Sequence, residues 1–457
     1  MMAVEPLHKS AYTTLDIDAL CQKFIDRTGV IGVIGLGYVG IPLAHAACEK
    51  GIKVIGFDTN KDKVEKLNTN QSYIGGVTDE DIAKHRENKL LQTTTNPADL
   101  QSADAILMCV PTPLTQYREP DLSYVESAAR DIAKVLRPGH LVILESTTYP
   151  GTMRDIVKPI LEETGLKSGV DFYLAYSPER EDPGNVNFGA SNTPKVVGGD
   201  SAEALKLAQT MYDQFVNKIV PVSSLELAEA VKITENIFRS VNIALVNELK
   251  VIYDALGIDV WEVIDAAATK PFGFMPFYPG PGLGGHCIPV DPFYLTHKVR
   301  ELELSTRFIE LAGEINVFMP QYVVSRAAEF FDAQTGRGFN GAKCLLLGAA
   351  YKKNVSDTRE SPFFGVASLL KKRGAIVDYH DPHVSALTEV RHFPEFSEKD
   401  TSVDLTAQSV ADYDIVFIIT DHTDVDYQMI GNTAKYIVDT RNIMSKYPDI
   451  TAKVFKA

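Results

Sequence analysis

One cysteine, Cys287, stands behind a run of glycines in the stretch 280–295, and an acidic residue, Asp291, follows it four positions later. Glycines allow backbone conformations closed to other residues and let the chain approach a ligand closely. A thiolate in such a loop can act as a nucleophile, while the carboxylate handles a proton or orients a water molecule. The alternative interpretation is a buried, unreactive cysteine beside a turn.

Other polar residues stand where they could join this chemistry. Lys232 and Asn236 are four residues apart in a long helical pattern, so they share one face and can reach one site together. Thr112 and the pair Glu179-Arg180 follow two predicted strands, each behind a proline that directs the chain out of the sheet. The alternatives are a solvated stripe for the helical pair and ordinary turns for the other residues.

A third constellation has the spacing G-x-G-x-x-G. The predicted strand Val30–Ile34 runs into Gly35, Gly37 and Gly40, a helix follows, and the next strand ends at Asp58. The three glycines suit a tight turn, room for a pyrophosphate and close helix packing, and the helix N-terminus attracts phosphate. A carboxylate after the second strand accepts from the ribose hydroxyls and repels a 2′-phosphate, so the pattern predicts NAD binding.

The composition limits the classes of protein and partner. The chain has 457 residues, a formal net charge of -15 and 45% hydrophobic residues. The negative charge argues against nucleic acid or an anionic membrane as a partner. No apolar run reaches the roughly 18 residues of a membrane span, and the first residues lack a signal peptide's apolar core, so we expect a cytoplasmic protein. Five dispersed cysteines without a CxxC pair argue against disulfides and zinc.

The elements that position these residues follow an α/β plan. A helical period begins at the predicted capping box Ser223–Glu226 and continues to Gly257, which gives a helix long enough to join two domains or form a dimer interface. A glycine-rich segment at 331–342 then precedes a second α/β pattern without the glycine fingerprint. Its first strand is followed by the polar, basic loop 352–360, which is either a clamp for phosphates or a solvated loop.

We therefore predict two Rossmann-like domains joined by a long central helix and a helical middle domain. The expected boundaries are an N-terminal lead-in at 1–28, an NAD-binding domain at 29–222, the central helix with the cysteine loop at 223–330, and the second Rossmann-like domain at 331–457.

In order along the chain, the motifs GLGYVG, CVPTP, SPER, GGHCIPVD and YKKNVSDTRE resemble those of the nucleotide-sugar 6-dehydrogenases. The resemblance extends from about Val30 to Asn442 and is most specific at the cysteine motif. It implies two NAD per UDP-sugar, oxidation of a C6 alcohol to a carboxylate through a cysteine-bound thiohemiacetal and thioester, and a homodimer or higher homo-oligomer formed through the long helix.

The resemblance also implies roles for individual residues. The catalytic set is Cys287 as nucleophile, Asp291 and Thr112 on the water, Glu179 as acid/base, and Lys232 and Asn236 on the oxyanion. The cofactor set is Gly35, Gly37, Tyr38, Val39, Gly40, Asp58, Lys63, Thr112 and Arg359. The substrate set is Glu179, Arg180, Lys232, Asn236, Phe277, Tyr278, Gly284 and Lys352. No metal site is expected, because His286 beside Cys287 lacks further ligands at useful spacing.

Two departures indicate the branch of the family. His286 stands where UDP-glucose enzymes usually have serine, and the segment 177–184 reads SPEREDPG instead of a PEFLxEG pattern. Both resemble the bacterial branch acting on UDP-N-acetylhexosamines for surface polysaccharide precursors, with UDP-N-acetylglucosamine expected and UDP-N-acetylmannosamine or UDP-glucose as alternatives. The role of a second glutamate near Glu179 is left open.

Two other classes of protein remain as alternatives. A hydroxyacid dehydrogenase that performs a single oxidation would use the Lys/Asn pair but would leave Cys287 and the C-terminal domain without a role. A non-catalytic nucleotide-sugar-binding protein would not need the full polar set. Counting NADH per product separates the two kinds of dehydrogenase, and protection of Cys287 from alkylation by a UDP-sugar tests the binding protein.

Overall fold

The computed structural model describes residues 16–115, 119–180, 191–285, 288–388, 390 and 392–457. Two units divide between Lys232 and Ile233, within one continuous helix. His286 and Cys287, which carry the predicted nucleophile, lie outside the described residues.

The strands of the first unit are β1 (Val30–Ile34), β2 (Lys53–Phe57), β3 (Leu91–Thr94), β4 (Ala105–Met108), β5 (Leu141–Leu144), β6 (Tyr173–Tyr176), β7 (Lys195–Gly199) and β8 (Ile219–Val222). Its helices are α1 (Ile17–Ile25), α2 (Gly40–Glu49), α3 (Lys61–Asn68), α4 (Asp79–Glu87), α5 (Ser123–Ala133), α6 (Lys158–Glu162) and α7 (Ala202–Tyr212), followed by the start of α8 (Leu225–Leu256).

Among the described residues these strands form one sheet in the order β3-β2-β1-β4-β5-β6-β7-β8. The central strands are apolar and buried along most of their length, as expected where helices cover both faces of a parallel sheet. Only β6 and β7 pair antiparallel within this sheet. Strand β1 lies between β2 and β4, so the strand order reverses direction at the glycine turn, which is where such sheets bind ligands. The predicted dinucleotide-binding fold is confirmed.

The long helix α8 begins one residue later than the predicted capping box requires. Its first turn donates the N–H of Leu227 to the hydroxyl of Ser224 at 3.2 Å. The capping residue is therefore Ser224, and the pairing of Ser223 with Glu226 was wrong. The side chain of Glu226 instead accepts from Arg154 at 2.8 Å.

The second unit contains the rest of α8, then α9 (Val260–Ala268), α10 (Pro292–Arg300), α11 (Arg307–Thr335), α12 (Pro362–Lys372), α13 (Ala407–Ala411) and α14 (Tyr427–Thr433). Its strands are β9 (Lys343–Leu347), β10 (Ile376–His380), β11 (Ile415–Ile418), β12 (Tyr436–Asp439) and β13 (Lys453–Lys456). In the described residues they form a parallel sheet in the order β10-β9-β11-β12-β13.

Helix α11 is longer than its sequence pattern predicts. The spacing of apolar residues predicts a helix over Thr306–Phe318, before Pro320, but the helix continues through the proline to Thr335 and ends at Gly336, whose φ is +68°. The buried residues Met319, Val323 and Ala327 pack into the core of the second sheet, which holds the helix together past the proline. No helix in the described part of the chain combines the length and hydropathy that crossing a bilayer requires.

Candidate functional site

The turn between β1 and α2 is shaped as the glycine fingerprint predicts. Gly35 has φ +93°, and a Cβ there would lie 2.5 Å from the carbonyl oxygen of Cys109. A Cβ on Gly40 would lie 2.0 Å from the carbonyl oxygen of Gly35, whereas nothing lies within 4 Å of one on Gly37. Among the described residues, no side chain caps the N-terminus of α2. The turn therefore leaves open space beside Gly37 at the start of a helix, where a pyrophosphate would bind, so it fits a dinucleotide.

Asp58 lies at the end of β2 and holds the glycine turn. Its carboxylate accepts from the N–H of Leu36 at 2.9 Å and from the N–H of Asn60 at 2.9 Å. The ammonium of Lys63 is 3.6 Å away. The predicted cofactor residues Tyr38 and Val39 belong to the same turn, where Tyr38 is 47% exposed.

The strand ends at β4 and β6 carry the predicted polar residues. Thr112 is 4% exposed beyond β4. Glu179 is partly buried beyond β6, and its carboxylate accepts from the N–H of Arg180 at 2.6 Å. The guanidinium of Arg180 donates to the carbonyl oxygen of Pro194 at 2.7 Å, which holds it against the chain entering β7.

Sequence analysis missed a buried ionic network beside Glu179. The ammonium of Lys195, at the start of β7, lies 2.7 Å from the carboxylate of Glu145 and 3.5 Å from that of Glu179. Tyr212 donates its hydroxyl to Glu145. Burial raises the pKa of Glu145 to about 7, although Lys195 opposes that shift. Glu145 directly follows β5, which lies between β4 and β6 in the sheet, so a search for polar residues after predicted strands could have found it.

On α8, Lys232 is 8% exposed and Asn236 is 3% exposed. Within the described residues, no carboxylate forms an ion pair with the Lys232 ammonium. Asn236, by contrast, donates its side-chain amide to the carboxylate of Asp291 at 2.6 Å. Asp291 is 1% exposed and immediately precedes α10. Thus two of the predicted catalytic residues, 55 positions apart in sequence, are in direct contact.

The glycine-rich loop packs on the basic loop of the second sheet. The N–H of Gly285 donates to the carbonyl oxygen of Arg359 at 3.0 Å. A Cβ on Gly284 would lie 2.7 Å from Cβ of Tyr351, so glycine is needed there for close approach. The guanidinium of Arg441, which follows β12, is 2.6 Å from a Cβ built on Gly280. Arg441 follows the end of β12, so a search for polar residues after predicted strands would have identified it.

The basic loop is fixed by its own polar contacts. The guanidinium of Arg359 pairs with Asp357 at 2.6 Å, and Lys352 is partly exposed in the same loop. The N–H of Asn354 donates to Nδ1 of His422 at 3.0 Å, which leaves Nε2 of that imidazole to donate to Asp381 at 3.0 Å. The loop is therefore held against the end of β11 by the buried His422.

The two predicted aromatic substrate residues contact helices of the second unit. Phe277 packs edge-on against Phe238 with ring centroids 5.8 Å apart. Tyr278 is 47% exposed and donates its hydroxyl to Asp265 at 2.7 Å. Phe277 thus contacts α8, and Tyr278 contacts α9.

One further group in the described residues has the composition of a metal site, although none was expected. The ligand atoms of His45, Glu49 and His85 all lie within 4.8 Å of one another. His45 and His85 are joined by a hydrogen bond of 2.9 Å, and Glu49 forms an ion pair with Lys84 at 2.8 Å. Partners within the protein therefore satisfy these groups, and we assign the cluster no ion.

Known proteins match this chain along most of its length. Residues 30–216 match the NAD binding domain of the UDP-glucose/GDP-mannose dehydrogenase family, residues 226–317 its central domain and residues 345–446 its UDP binding domain. A UDP-N-acetyl-D-glucosamine 6-dehydrogenase of Pseudomonas aeruginosa is 39% identical over 78% of this chain and 83% of its own length. A UDP-N-acetyl-D-mannosamine dehydrogenase of Pyrococcus horikoshii is 33% identical over 92% of this chain and 96% of its own. A solved structure of the UDP-D-ManNAc dehydrogenase from that organism covers 93% of this chain and 98% of its own, with TM-score 0.83 and 33% identity.

Proposed function

Because the chain belongs to the UDP-glucose/GDP-mannose dehydrogenase family, we propose that this NAD-dependent enzyme oxidises the C6 hydroxyl of a UDP-N-acetylhexosamine to a carboxylate. UDP-N-acetylglucosamine is the proposed substrate, and the product is a precursor for surface polysaccharide. One water molecule and two NAD are consumed per sugar, because conversion of an alcohol to an acid removes four electrons.

The proposal divides the work among segments of the chain. Residues 29–222 hold NAD, 223–330 supply α8 and the cysteine loop, and 331–457 hold the UDP moiety. The open turn at Gly37 and the uncapped N-terminus of α2 support the first assignment. The basic loop that contains Lys352 and Arg359, packed on the glycine-rich loop, supports the last.

Bound NAD supplies the hydride acceptor. The ammonium of Lys232 and the amide of Asn236 stabilise negative charge on the C6 oxygen. The thiolate of Cys287 forms a C–S bond to the aldehyde from the first oxidation, which retains that reactive product, and the second oxidation leaves a thioester. Thr112, Asp291 and Glu179 orient a water molecule that attacks this ester, with Glu179 taking its proton. The C–S bond then breaks, and the acid and the thiolate are released.

The contact between Asn236 and Asp291 carries the proposal. An amide that donates to a buried carboxylate fixes that carboxylate four residues beyond Cys287, as a water-orienting group requires. Lys232 adds to this support, because a buried ammonium that forms no ion pair with a carboxylate of the described residues is costly unless a ligand supplies the negative charge.

The test measures NADH release with UDP-N-acetylglucosamine, UDP-N-acetylgalactosamine, UDP-N-acetylmannosamine and UDP-glucose. We expect two NADH per uronic acid, and Cys287→Ser should stop after the first oxidation or bind substrate without turnover. Cys48→Ser is the matched control, because burial, with a contribution from Glu49, raises the pKa of that thiol to about 12 and keeps it unreactive. Full conversion to the acid by Cys287→Ser would refute the covalent route.

UDP-N-acetylmannosamine is the second candidate substrate. The Pyrococcus horikoshii relative named for it matches a larger share of this chain than the more identical Pseudomonas aeruginosa relative does. A higher kcat/KM for UDP-N-acetylmannosamine in the same panel would select it. UDP-glucose remains the third candidate, and the SPEREDPG segment argues against it.

We also propose that the chain forms a homodimer through α8. Phe238, Leu245 and Ile252 are each 45–49% exposed, and they recur every seven residues along that helix. A stripe with this spacing is typical of helices that pack against a partner helix.

A further inference from the structure

The buried network of Glu145, Lys195 and Tyr212 lies beside the proposed acid/base residue Glu179. None of these three residues has a role in the proposed reaction. Two carboxylates share one ammonium there, in a part of the sheet that is almost fully buried. Such an arrangement is costly to bury, since desolvation of ions is offset only by good mutual geometry. Its position at the ends of β5 and β6 suggests a function beyond holding the sheet together.

The register of the sheet explains how Lys195 reaches Glu179. In the antiparallel pair β6 and β7, Ala175 faces Gly199 and Tyr176 faces Gly198. Continuing that register by three residues brings Lys195 opposite Glu179. The antiparallel strand thus delivers an ammonium to the edge of the sheet where Glu145 and Glu179 follow β5 and β6.

We propose that Glu145 is a positioning residue that controls Glu179 through Lys195, a role that depends on Glu179 being the acid/base of the proposed function. When Glu145 is ionised it holds the ammonium at 2.7 Å, and Glu179 stays at 3.5 Å with its other oxygen fixed by the N–H of Arg180. Glu179 is then a carboxylate of fixed orientation and only partly neutralised charge, able to accept a proton.

Protonation of Glu145 reverses this arrangement. The proton comes from solvent and neutralises Glu145, so the whole charge of Lys195 is left to Glu179. A carboxylate that pairs closely with an ammonium is a weaker base. The groups that face Glu145 are Lys195 from β7, Glu179 beyond β6, Tyr212 from α7 and Cys109 beyond β4. Because the pKa of Glu145 is raised to about 7, this change falls within the working pH range, and activity should rise as pH increases through it.

Glu145→Gln tests the inference, since the amide reproduces the shape and neutrality of the protonated acid. With UDP-N-acetylglucosamine, or whichever UDP-sugar gives the highest wild-type kcat/KM, we expect kcat of the wild type to rise through about pH 7. The variant should lack this rise, and its kcat at pH 8 should fall by about tenfold, in line with the cost of a misplaced catalytic group. KM for the UDP-sugar should change less than about threefold, because Glu145 is buried away from ligand.

Tyr212→Phe provides a second, milder variant in case the first does not fold. It removes a hydrogen bond to Glu145 that favours the ionised form, so the inflection in kcat should move to higher pH while kcat at its plateau is retained. Glu229→Gln is the matched control, because Glu229 is also fully buried with a pKa raised by burial to about 7 but does not contact Lys195. The control should keep the wild-type inflection.

A structural role alone predicts another result. Glu145→Gln would then lower the melting temperature, or lower kcat equally at every pH, with the inflection unchanged. That outcome overturns the inference, and so does an unchanged inflection in Tyr212→Phe or a lost one in Glu229→Gln. Absence of NADH release by the wild type with every UDP-sugar would instead overturn the proposed function and, with it, this inference.

Discussion

Glu229 shows how burial of a single residue couples stability to pH. Its side chain on α8 is fully buried and accepts from the backbone N–H groups of Gly151 and Met153. Burial raises its pKa from 4.5 to about 7, and these two hydrogen bonds oppose the shift only in part. A carboxyl whose pKa is raised on folding contributes stability that is complete below its unfolded pKa and is lost as pH rises through the folded value.

We therefore expect Glu229→Gln to reduce the fall in thermal stability between about pH 4.5 and pH 7, by up to about 3 kcal/mol from the size of the pKa shift. The measurement is the melting temperature of variant and wild type across that range. Glu163→Gln is the control, because this glutamate side chain is 68% exposed and should leave the curve unchanged. Parallel curves for Glu229→Gln and wild type would show that Glu229 does not titrate in this window.

At the scale of one helix, two adjacent serines at the start of α8 differ in how much they stabilise it. Ser224 accepts from the N–H of Leu227, so Ser224→Ala should lower the stability of the first unit by about 1 kcal/mol, the usual cost of removing a capping hydroxyl. Ser223→Ala changes an exposed neighbour and should have little effect. Chemical denaturation of both variants tests this, and a larger loss for Ser223→Ala would restore the capping box that the sequence suggested.

Periodicity predicted the elements well where local residues determine them. Strand β1 has the predicted bounds Val30–Ile34, and β2 ends before Asp58 as expected, because the apolar runs there end at glycine or aspartate. The sequence could not show that α11 continues past Pro320, since packing against the second sheet stabilises that segment. Short strands such as β3 and β8 were also missed, because their half-exposed residues lack a strong apolar signal.

The residues of the candidate site also divide into those set by local sequence patterns and those set by tertiary structure. Its glycine turn and Asp58 form a local pattern and could be predicted, whereas the role of the cysteine motif stays a prediction. The approach of Lys195 to Glu145 could not be predicted, because it joins residues 50 positions apart and depends on one strand running antiparallel. The contact between Asn236 and Asp291 also depends on tertiary structure, although both residues were expected in the site.

The same contact between an aspartate and backbone N–H groups occurs in both sheets of the chain, with different consequences. In each sheet an acid after the second strand accepts from N–H groups that follow the first strand: Asp58 from Leu36, and Asp381 from Ala349 and Ala350. Asp381 also accepts from His383, Val384 and His422. Its oxygens are therefore occupied by the protein, whereas Asp58 has acceptor capacity left. Under the proposed function, this difference lets a ribose hydroxyl of NAD bind at Asp58 but not at Asp381.

Assembly of two chains is tested on the apolar stripe of α8. Leu245, at its centre, is 49% exposed, so Leu245→Glu would place a charge at the middle of the proposed dimer contact. Burying an unpaired carboxylate is strongly unfavourable, and we expect the variant to be monomeric at concentrations where the wild type is dimeric. Light scattering coupled to size-exclusion chromatography measures the molar mass of the variant and the wild type.

Val170→Glu is the matched control for that substitution, because Val170 is 55% exposed in the first unit, away from the stripe. It should keep the wild-type mass, since a charge in water costs little. A dimeric Leu245→Glu would place the interface elsewhere, and a monomeric wild type would leave the stripe without a second copy of this chain as its partner. A monomeric Leu245→Glu that keeps the wild-type circular dichroism spectrum would show that the stripe acts between chains, because a folding defect would change that spectrum.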